Sequence, residues 1–181
     1  MNIMKIYAGI GSRETPRPIL TLFNTIGEYL AREGYILRSG AAQGADSAFE
    51  MGCDKVQGLK EIYIPWPNFN NRFNRRIPDL VLKKEAFEIA QKFHPKWHVL
   101  SDAAKKLIAR NTHQILGYDL NEPSNFVICY TDGGKGGGGT GQALRIAKHH
   151  KIPIWDVGKY NFTHNEKLFN HFKEFLNQIN Q

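Results

Sequence analysis

Glycines crowd one stretch of this chain, the run Thr131–Gly141, which reads TDGGKGGGGTG. The run follows an apolar segment at 125–130 and precedes a helical pattern at 142–150. A glycine-rich turn between a strand and a helix presents backbone N–H groups and a helix N-terminus to a phosphate. Six glycines between 133 and 139 also cost backbone entropy on folding, which favours a functional role over a flexible surface loop.

Strand-like and helix-like patterns alternate along the rest of the chain. Strands are predicted at 3–8, 35–38, 61–64, 125–130 and 152–157. Helices are predicted at 17–32, 47–56, 79–93, 101–117, 142–150 and 164–180. This alternation predicts an α/β fold of the Rossmann-like, doubly wound type, with a mainly parallel five-stranded sheet and helices on both faces. We expect one nucleotide-binding domain over 1–181, with an elaborated helical crossover at 65–124.

Two further glycine-containing turns, at 9–13 and 39–46, also follow predicted strands. Because doubly wound sheets bind ligands at the carboxyl ends of their strands, we expect all three turns to share one binding edge. The candidate ligand-binding residues are Gly11, Ser12, Arg13, Ser39, Gly40, Ala41, Gly44, Asp46, Arg110, Asn111, Thr131, Asp132, Gly138, Gly139 and Thr140. The first turn lacks the third glycine of the dinucleotide fingerprint, and Arg38 and Ser39 stand where an acidic residue would close the second strand. Both departures argue against classical NAD binding.

Several of these side chains have two interpretations. Arg13 is either a bidentate phosphate ligand or an exposed residue of a tight turn. Asp46 is either a helix N-cap or a group that accepts hydrogen bonds from a ribose or base. Asp46 and Glu50 lie one helical turn apart, so they form either an acid/base pair for a glycosidic bond or a solvated helix face. Arg110 is either a ligand contact or half of a surface salt bridge. If the protein is an enzyme, Glu50, Asp46 and Arg110 are the catalytic candidates.

The net charge of +7 is concentrated in residues 68–110, which hold ten Lys/Arg and four Asp/Glu. This region is either a surface for polyanions or a solvated helix surface. Aromatic residues lie among its arginines, an arrangement that suits base stacking as well as the packing of an irregular crossover. These residues are Trp66, Phe69, Phe73 and Trp97, with Arg72, Arg75 and Arg76.

The remaining composition narrows the class of protein. Cys53 and Cys129 lie in apolar surroundings without CxxC spacing, so we predict reduced core thiols in a cytoplasmic protein. No apolar run has the length of a membrane span, and the first residues lack a signal-peptide layout. The histidines show no metal-ligand spacing. We therefore expect no metal, no cofactor and no membrane partner.

Together the three turns resemble the SLOG superfamily of Rossmann-like proteins, which includes the DNA-processing protein A (DprA/Smf) family and the Lonely Guy phosphoribohydrolases. The matching motifs are 9–13 (GIGSR), 39–46 (SGAAQGAD) and 138–143 (GGTGQA). The second is similar to the DprA pattern of Ser-Gly, a small residue and then Gly-x-Asp opening a helix. The stretch from Arg110 to Pro153 resembles small DprA-like proteins common in phage genomes.

The resemblance implies a nucleotide or single-stranded nucleic acid as ligand, and often a homodimer. Lonely Guy enzymes carry an Arg on the helix before the third turn, which Arg110 matches, and a Gly-Thr, which Gly139-Thr140 match. They then carry two glutamates, replaced here by Gln142 and Ala143. This replacement favours a nucleotide- or nucleic-acid-binding protein. The alternative is a nucleotide N-glycosidase that releases a base from a nucleoside monophosphate.

Overall fold

The structure is a computed structural model that describes residues 4–72, 82–161 and 164–181. Its strands are β1 (Ile6–Gly9), β2 (Ile36–Ser39), β3 (Lys60–Ile62), β4 (Phe126–Cys129) and β5 (Ile154–Asp156). Its helices are α1 (Arg17–Arg32), α2 (Ala45–Lys55), α3 (Lys84–Phe93), α4 (Asp102–Leu116), α5 (Gly138–His149) and α6 (Asn165–Ile179).

The five strands form one parallel sheet in the order β3-β2-β1-β4-β5. In the register, Ile6 lies opposite Ile36, and Gly9 lies opposite Ile128. The order reverses between β1 and β4, which is where doubly wound sheets open a crevice for ligands. The predicted Rossmann-like α/β fold is therefore confirmed.

Helices cover both faces of the sheet, as right-handed crossovers require. On one face α1, α2 and α6 bury an aromatic-rich core that includes Phe23, Phe49, Phe126 and Trp155. On the other face α4 and α5 pack small and branched side chains such as Val127 and Ala143 against the sheet. Hydrophobic side chains buried on both faces of the central strands are the main source of stability in such a fold.

Strand β2 carries a buried cation. Arg38 on β2 has no exposed surface, yet its guanidinium is fully engaged. It donates to Glu61 Oε2 at 2.8 Å, to Glu122 Oε2 at 3.0 Å and to the Glu122 carbonyl at 2.5 Å. Arg38 is thus a structural cation that joins β2, β3 and the segment before β4, because a buried guanidinium is tolerated only with such partners.

The two cysteines are free and buried, Cys53 in α2 and Cys129 in β4, as predicted. Burial raises the pKa of the Cys53 thiol to about 11, so it stays protonated at neutral pH. Among the described helices, none is long and apolar enough to cross a membrane.

Candidate nucleotide-binding cleft

A cleft of about 1050 Å³ opens at the carboxyl edge of the sheet, beside β1 and β4. All three glycine-containing turns reach it: the first through Gly11–Arg13, the second through Ala42, Gln43 and Asp46, and the third through residues between Thr131 and Thr140. The turns therefore share one edge of the sheet, and their contact with a ligand stays a prediction. The cleft-lining residues among the predicted ligand contacts are Gly11, Ser12, Arg13, Asp46, Arg110, Asn111, Thr131, Asp132, Gly138, Gly139 and Thr140. Ser39, Gly40, Ala41 and Gly44 lie behind the surface of the cleft rather than on it.

The first two turns support each other from behind. Ser39 donates its hydroxyl to the Gly9 carbonyl at 2.8 Å, which joins the end of β2 to the end of β1. Gly44 has a φ of +87°, and a Cβ there would lie 2.8 Å from the Arg13 Cα. Only glycine fits this position, because both the backbone angle and the close approach exclude a side chain. Arg13 itself is exposed at the cleft margin.

Asp46 lies at the floor of the cleft, only 3 % exposed. The N-cap of α2 is Gly44, so Asp46 sits in the first turn and is not the N-cap. Burial raises its pKa from 3.8 to about 6, while the charge of Arg110 and backbone hydrogen bonds from Ala42, Gly40 and Gly11 oppose that rise. The Ala42 N–H donates to Asp46 Oδ2 at 3.3 Å. A carboxyl group here therefore changes protonation close to neutral pH.

Arg110 extends from α4 to the same floor and is 6 % exposed. Its Nη1 donates to the Gly40 carbonyl, its Nε donates to Asn111 Oδ1 at 3.0 Å, and its guanidinium lies 5.7 Å from the Phe69 ring centroid. Burial lowers the pKa of Arg110, and the charge of Asp46 opposes that shift. The interpretation of Arg110 as half of a surface salt bridge is wrong, because the side chain is buried under the cleft.

Asn111 connects α4 to the third turn. Its Nδ2 donates to the Gly139 carbonyl at 3.1 Å. Since Arg110 binds the second turn and Asn111 binds the third, two consecutive residues of α4 hold opposite walls of the cleft in place.

The third turn leads directly into α5, which begins at Gly138, four residues before the predicted start. Its N-cap is Gly137, and no side chain caps this end. A Cβ added at Gly137, Gly138 or Gly139 would have no atom within 4 Å apart from its chain neighbours and the backbone of its own helix. The first N–H groups of a helix have no partners inside it, so this terminus leaves backbone donors and the positive end of the helix dipole beside open space.

Asp156, at the end of β5, fixes the start of this turn and was not predicted from the sequence. Its carboxylate accepts hydrogen bonds from the Thr131 N–H and the Gly158 N–H, both at 3.0 Å, and from the Thr131 hydroxyl. Thr131 Oγ1 in turn accepts from the Gly136 N–H at 3.0 Å. Thr131 is therefore a residue that organises the turn. The only sequence signal for Asp156 is its place after an apolar strand, at the same edge as the other turns.

Glu50, the other carboxylate proposed for catalysis, is not among the residues that line the cleft. It is 2 % exposed and pairs with Lys60 at 2.6 Å and with Arg72. The interpretation of Asp46 and Glu50 as a solvated helix face is wrong, because both are buried. Asp46 faces the cleft and Glu50 anchors the start of the crossover.

Three aromatic side chains also line the cleft. Trp66 and Phe69 meet edge to face, with ring centroids 5.2 Å apart, and Tyr130 lies at the end of β4. All three are half-buried. Tyr130 and Gln114, also at the cleft, were not predicted. Of the other residues noted in the crossover, Phe73, Arg75 and Arg76 lie outside the described residues.

The charged residues at the cleft are balanced in number: Arg13, Arg110 and Lys135 against Glu14, Asp46 and Asp132. The charges of Arg110 and Asp46 act on each other at the buried floor, and Arg13 and Lys135 are the exposed cations of the cleft. In the described part of the chain, no group of His, Cys, Asp and Glu side chains is arranged to hold a metal ion.

No protein-family model matches the sequence, and no curated protein matches it either. Among solved structures, the α/β fold is similar to that of DNA processing protein A from Helicobacter pylori, in a structure reported for its single-stranded DNA binding mode. The match has a TM-score of 0.54 and 16% sequence identity, and it covers 98% of this chain and 79% of that protein. At this identity the likeness concerns the fold alone. Membership of the SLOG superfamily stays a prediction.

Proposed function

We propose that the cleft binds a nucleotide unit, either free or within single-stranded nucleic acid, with its phosphate at the N-terminus of α5. The observation that carries this proposal is the uncapped helix end at Gly137–Gly139, which is open to a cleft that aromatic side chains also line. A nucleotide fits both features of the cleft, because it has an anionic phosphate and a flat aromatic base.

The phosphate end is supported by charge and by backbone geometry. Helix N-termini with free N–H groups bind phosphate because the donors and the helix dipole act together. Lys135 and Arg13 lie at the same cleft, and neither forms an ion pair with another described residue. Their charges are therefore available to the ligand.

The base end is supported by Trp66, Phe69 and Tyr130. Stacking of a base on an aromatic ring contributes about 1–3 kcal/mol and tolerates any base, since every base has a π-face. DNA processing protein A, whose fold is similar, is described as binding single-stranded DNA. We therefore take single-stranded DNA as the first ligand to test.

Gly139→Val is the decisive variant. A Cβ at Gly139 meets open space, and the position has no positive φ to strain. We therefore expect the valine side chain to occupy the phosphate position and to leave the fold intact. We expect binding of fluorescein-labelled oligothymidylate, followed by anisotropy, to weaken by about tenfold or more. Thermal unfolding should stay close to that of the parent.

Ala103→Val is the matched control. Ala103 is the second residue of α4, as Gly139 is of α5, and it is exposed and does not line the cleft. The control should bind as the parent does. Equal affinity of the parent and Gly139→Val would show that the phosphate does not bind at α5, and absence of any binding by the parent would refute the proposal as a whole.

A second candidate function, cleavage of a nucleotide N-glycosidic bond, is favoured by Asp46. A buried carboxyl group with a pKa of about 6 at the floor of the cleft has the protonation behaviour of a general acid or base. The positions of the two replaced glutamates do not serve this role, because Gln142 and Ala143 are fully buried away from the cleft.

Chromatography of the protein incubated with a panel of nucleoside monophosphates tests this second candidate. Release of free base by the parent, lost in Asp46→Asn, would establish the enzyme. Intact nucleotides with the parent would exclude turnover of the panel and leave the binding proposal in place.

A further inference from the structure

Basic side chains, with one tryptophan among them, are carried by α3, by the segment that follows α3, by α4 and by α5. None of them is among the residues that line the cleft. We call this set the basic ridge, and it consists of Lys92, Lys96, Trp97, Lys105, Arg145 and Lys148. Lys92, Lys96 and Lys148 are exposed, and the other members are half-buried. Arg145 and Lys148 on α5 join residues of the basic stretch 68–110, so the fold combines two segments that are distant along the chain.

Contacts between these segments bring the ridge together. Arg145 on α5 donates its Nε to the Phe93 carbonyl at the end of α3, at 2.7 Å, and the Phe93 ring lies 5.1 Å from the His149 ring. On the other side, Lys105 Nζ lies 5.8 Å from the Trp97 ring centroid. The His94 ring bridges the two halves, 6.5 Å from the Trp97 ring, and its pKa is lowered by burial and by the charge of Arg145.

The charges of the ridge are not neutralised within the protein. No described carboxylate forms an ion pair with Lys92, Lys96, Lys105, Arg145 or Lys148. The acidic residues nearest in sequence are Glu88, which pairs with Lys84 at 3.8 Å, and Asp102 at the start of α4. Helix α5 itself contains no acidic residue. Cations without an acidic partner on a surface attract polyanions.

The ridge continues from the cleft. Leu100 and Ala104 line the cleft; Leu100 is three residues after Trp97, and Ala104 directly precedes Lys105. At the far end, Lys148 is nine residues beyond Gly139, about 14 Å along the axis of α5 at 1.5 Å per residue. A nucleotide whose phosphate sits at the α5 N-terminus therefore reaches Lys148 only if further nucleotides follow it.

We infer that the ligand is a single-stranded polynucleotide that leaves the cleft over Leu100 and Ala104 and lays its phosphates along the basic ridge, with a base on Trp97. This inference rests on the proposed function of the cleft and decides between its two ligand forms. Cations that follow the backbone and an aromatic ring for stacking are the two components of single-strand recognition without sequence preference.

The test is the triple variant Lys92→Gln, Lys105→Gln, Lys148→Gln, titrated with labelled oligothymidylates of about 4 to 16 nucleotides. For the longer probes we expect affinity to fall by about tenfold or more, with a salt slope smaller by about 2, because each single-strand phosphate contact contributes about 0.7 to that slope. Binding of thymidine 5′-monophosphate, measured by calorimetry, should not change.

The matched control removes three lysines from the opposite face of the sheet: Lys55→Gln, Lys167→Gln, Lys173→Gln, on α2 and α6. It carries the same loss of net charge and should bind every probe as the parent does. Equal losses in both triple variants would overturn the ridge, since the effect would then come from net charge alone. An unchanged affinity of the ridge variant for long probes would also overturn it. An equal loss of affinity for the mononucleotide would do the same.

Failure of the ridge and failure of the cleft are distinguishable. Gly139→Val should weaken the mononucleotide and the long probes alike, whereas the ridge variant should weaken the long probes only. A preference of the ridge for duplex DNA or for vesicles of anionic lipid over the single strand would also overturn the inference.

Discussion

The two walls of the cleft manage charge in different ways. The wall at β2 and α2 is built from buried ionic side chains, with Asp46 and Arg110 under its surface and Arg38 behind them. The wall at β4 and α5 is built from backbone, with glycines that leave open space and side chains such as Thr131 and Asp156 that only shape the turn. In the first wall the polar groups bind one another within the protein. In the second wall the backbone donors are left free for a ligand.

We call the wall at β2 and α2 the ionic wall and the wall at β4 and α5 the backbone wall. The largest expected effect on stability comes from removing Arg110 from the ionic wall. Arg110→Met leaves the carbonyls of Gly40 and Tyr63 without this donor and Asp46 without its compensating charge. Removing one partner of a buried charge pair costs about 3–5 kcal/mol, and we expect the free energy of unfolding in urea to fall by about 3 kcal/mol.

Arg13→Met is the control, because Arg13 carries the same charge at the same cleft but is exposed. It should change stability by less than about 0.5 kcal/mol. Similar losses in the two variants would contradict the difference between buried and exposed cations on which the comparison of the walls depends.

The contrast between the walls also explains how far sequence reasoning reached. The alternation of apolar strands and amphipathic helices predicted the sheet, and α1 was predicted to the residue, since periodicity reports burial directly. The glycine turns placed the cleft at the correct edge. Single-sequence patterns did not distinguish the burial of Glu50 from exposure, because its partners Lys60 and Arg72 lie outside α2, in β3 and in the segment after it.

The start of α5 was missed for a related reason. Glycine has the lowest helix propensity after proline, so the pattern ended the turn at Gly141, although the helix begins at Gly138. Asp156 was missed because its role depends on Thr131, which is 25 positions away in sequence. Both errors concern contacts across the sheet edge, which local patterns do not contain.

The next effect in size is a pH dependence that belongs to the ionic wall alone. The folded protein holds the pKa of Asp46 at about 6, above its ordinary value of 3.8, so the folded state binds the proton more tightly than the unfolded state. Stability therefore falls as the pH rises from about 4 to about 6, by about 3 kcal/mol for this group. Asp46→Asn should lack that part of the slope.

Urea unfolding of the parent and of Asp46→Asn at several pH values measures this pH dependence. The stability of the parent relative to Asp46→Asn should decline across this interval and become constant above it. A difference that stays constant from about pH 4 to about pH 7 would show that Asp46 titrates normally in the folded protein.

The smallest effects test the backbone wall, through two glycines of one motif. A Cβ at Gly141 would collide with the Gly136 carbonyl oxygen, whereas a Cβ at Gly139 meets nothing. We expect Gly141→Ala to destabilise the protein by about 2 kcal/mol, a typical cost of overpacking. Gly139→Ala should instead stabilise it by about 0.5 kcal/mol, since alanine restricts the unfolded chain and favours the helix.

Thermal and urea unfolding of the two alanine variants compare them directly, and the opposite signs are the informative result. Gly141 would then be a glycine that the fold requires, and Gly139 one that the fold does not require. If Gly139→Ala is destabilised, the fold itself requires glycine at this position. The open space at the α5 N-terminus would then no longer support a ligand site there. A stabilised Gly139→Ala leaves the approach of a phosphate as the physical reason for glycine there, because stability alone favours alanine at that position.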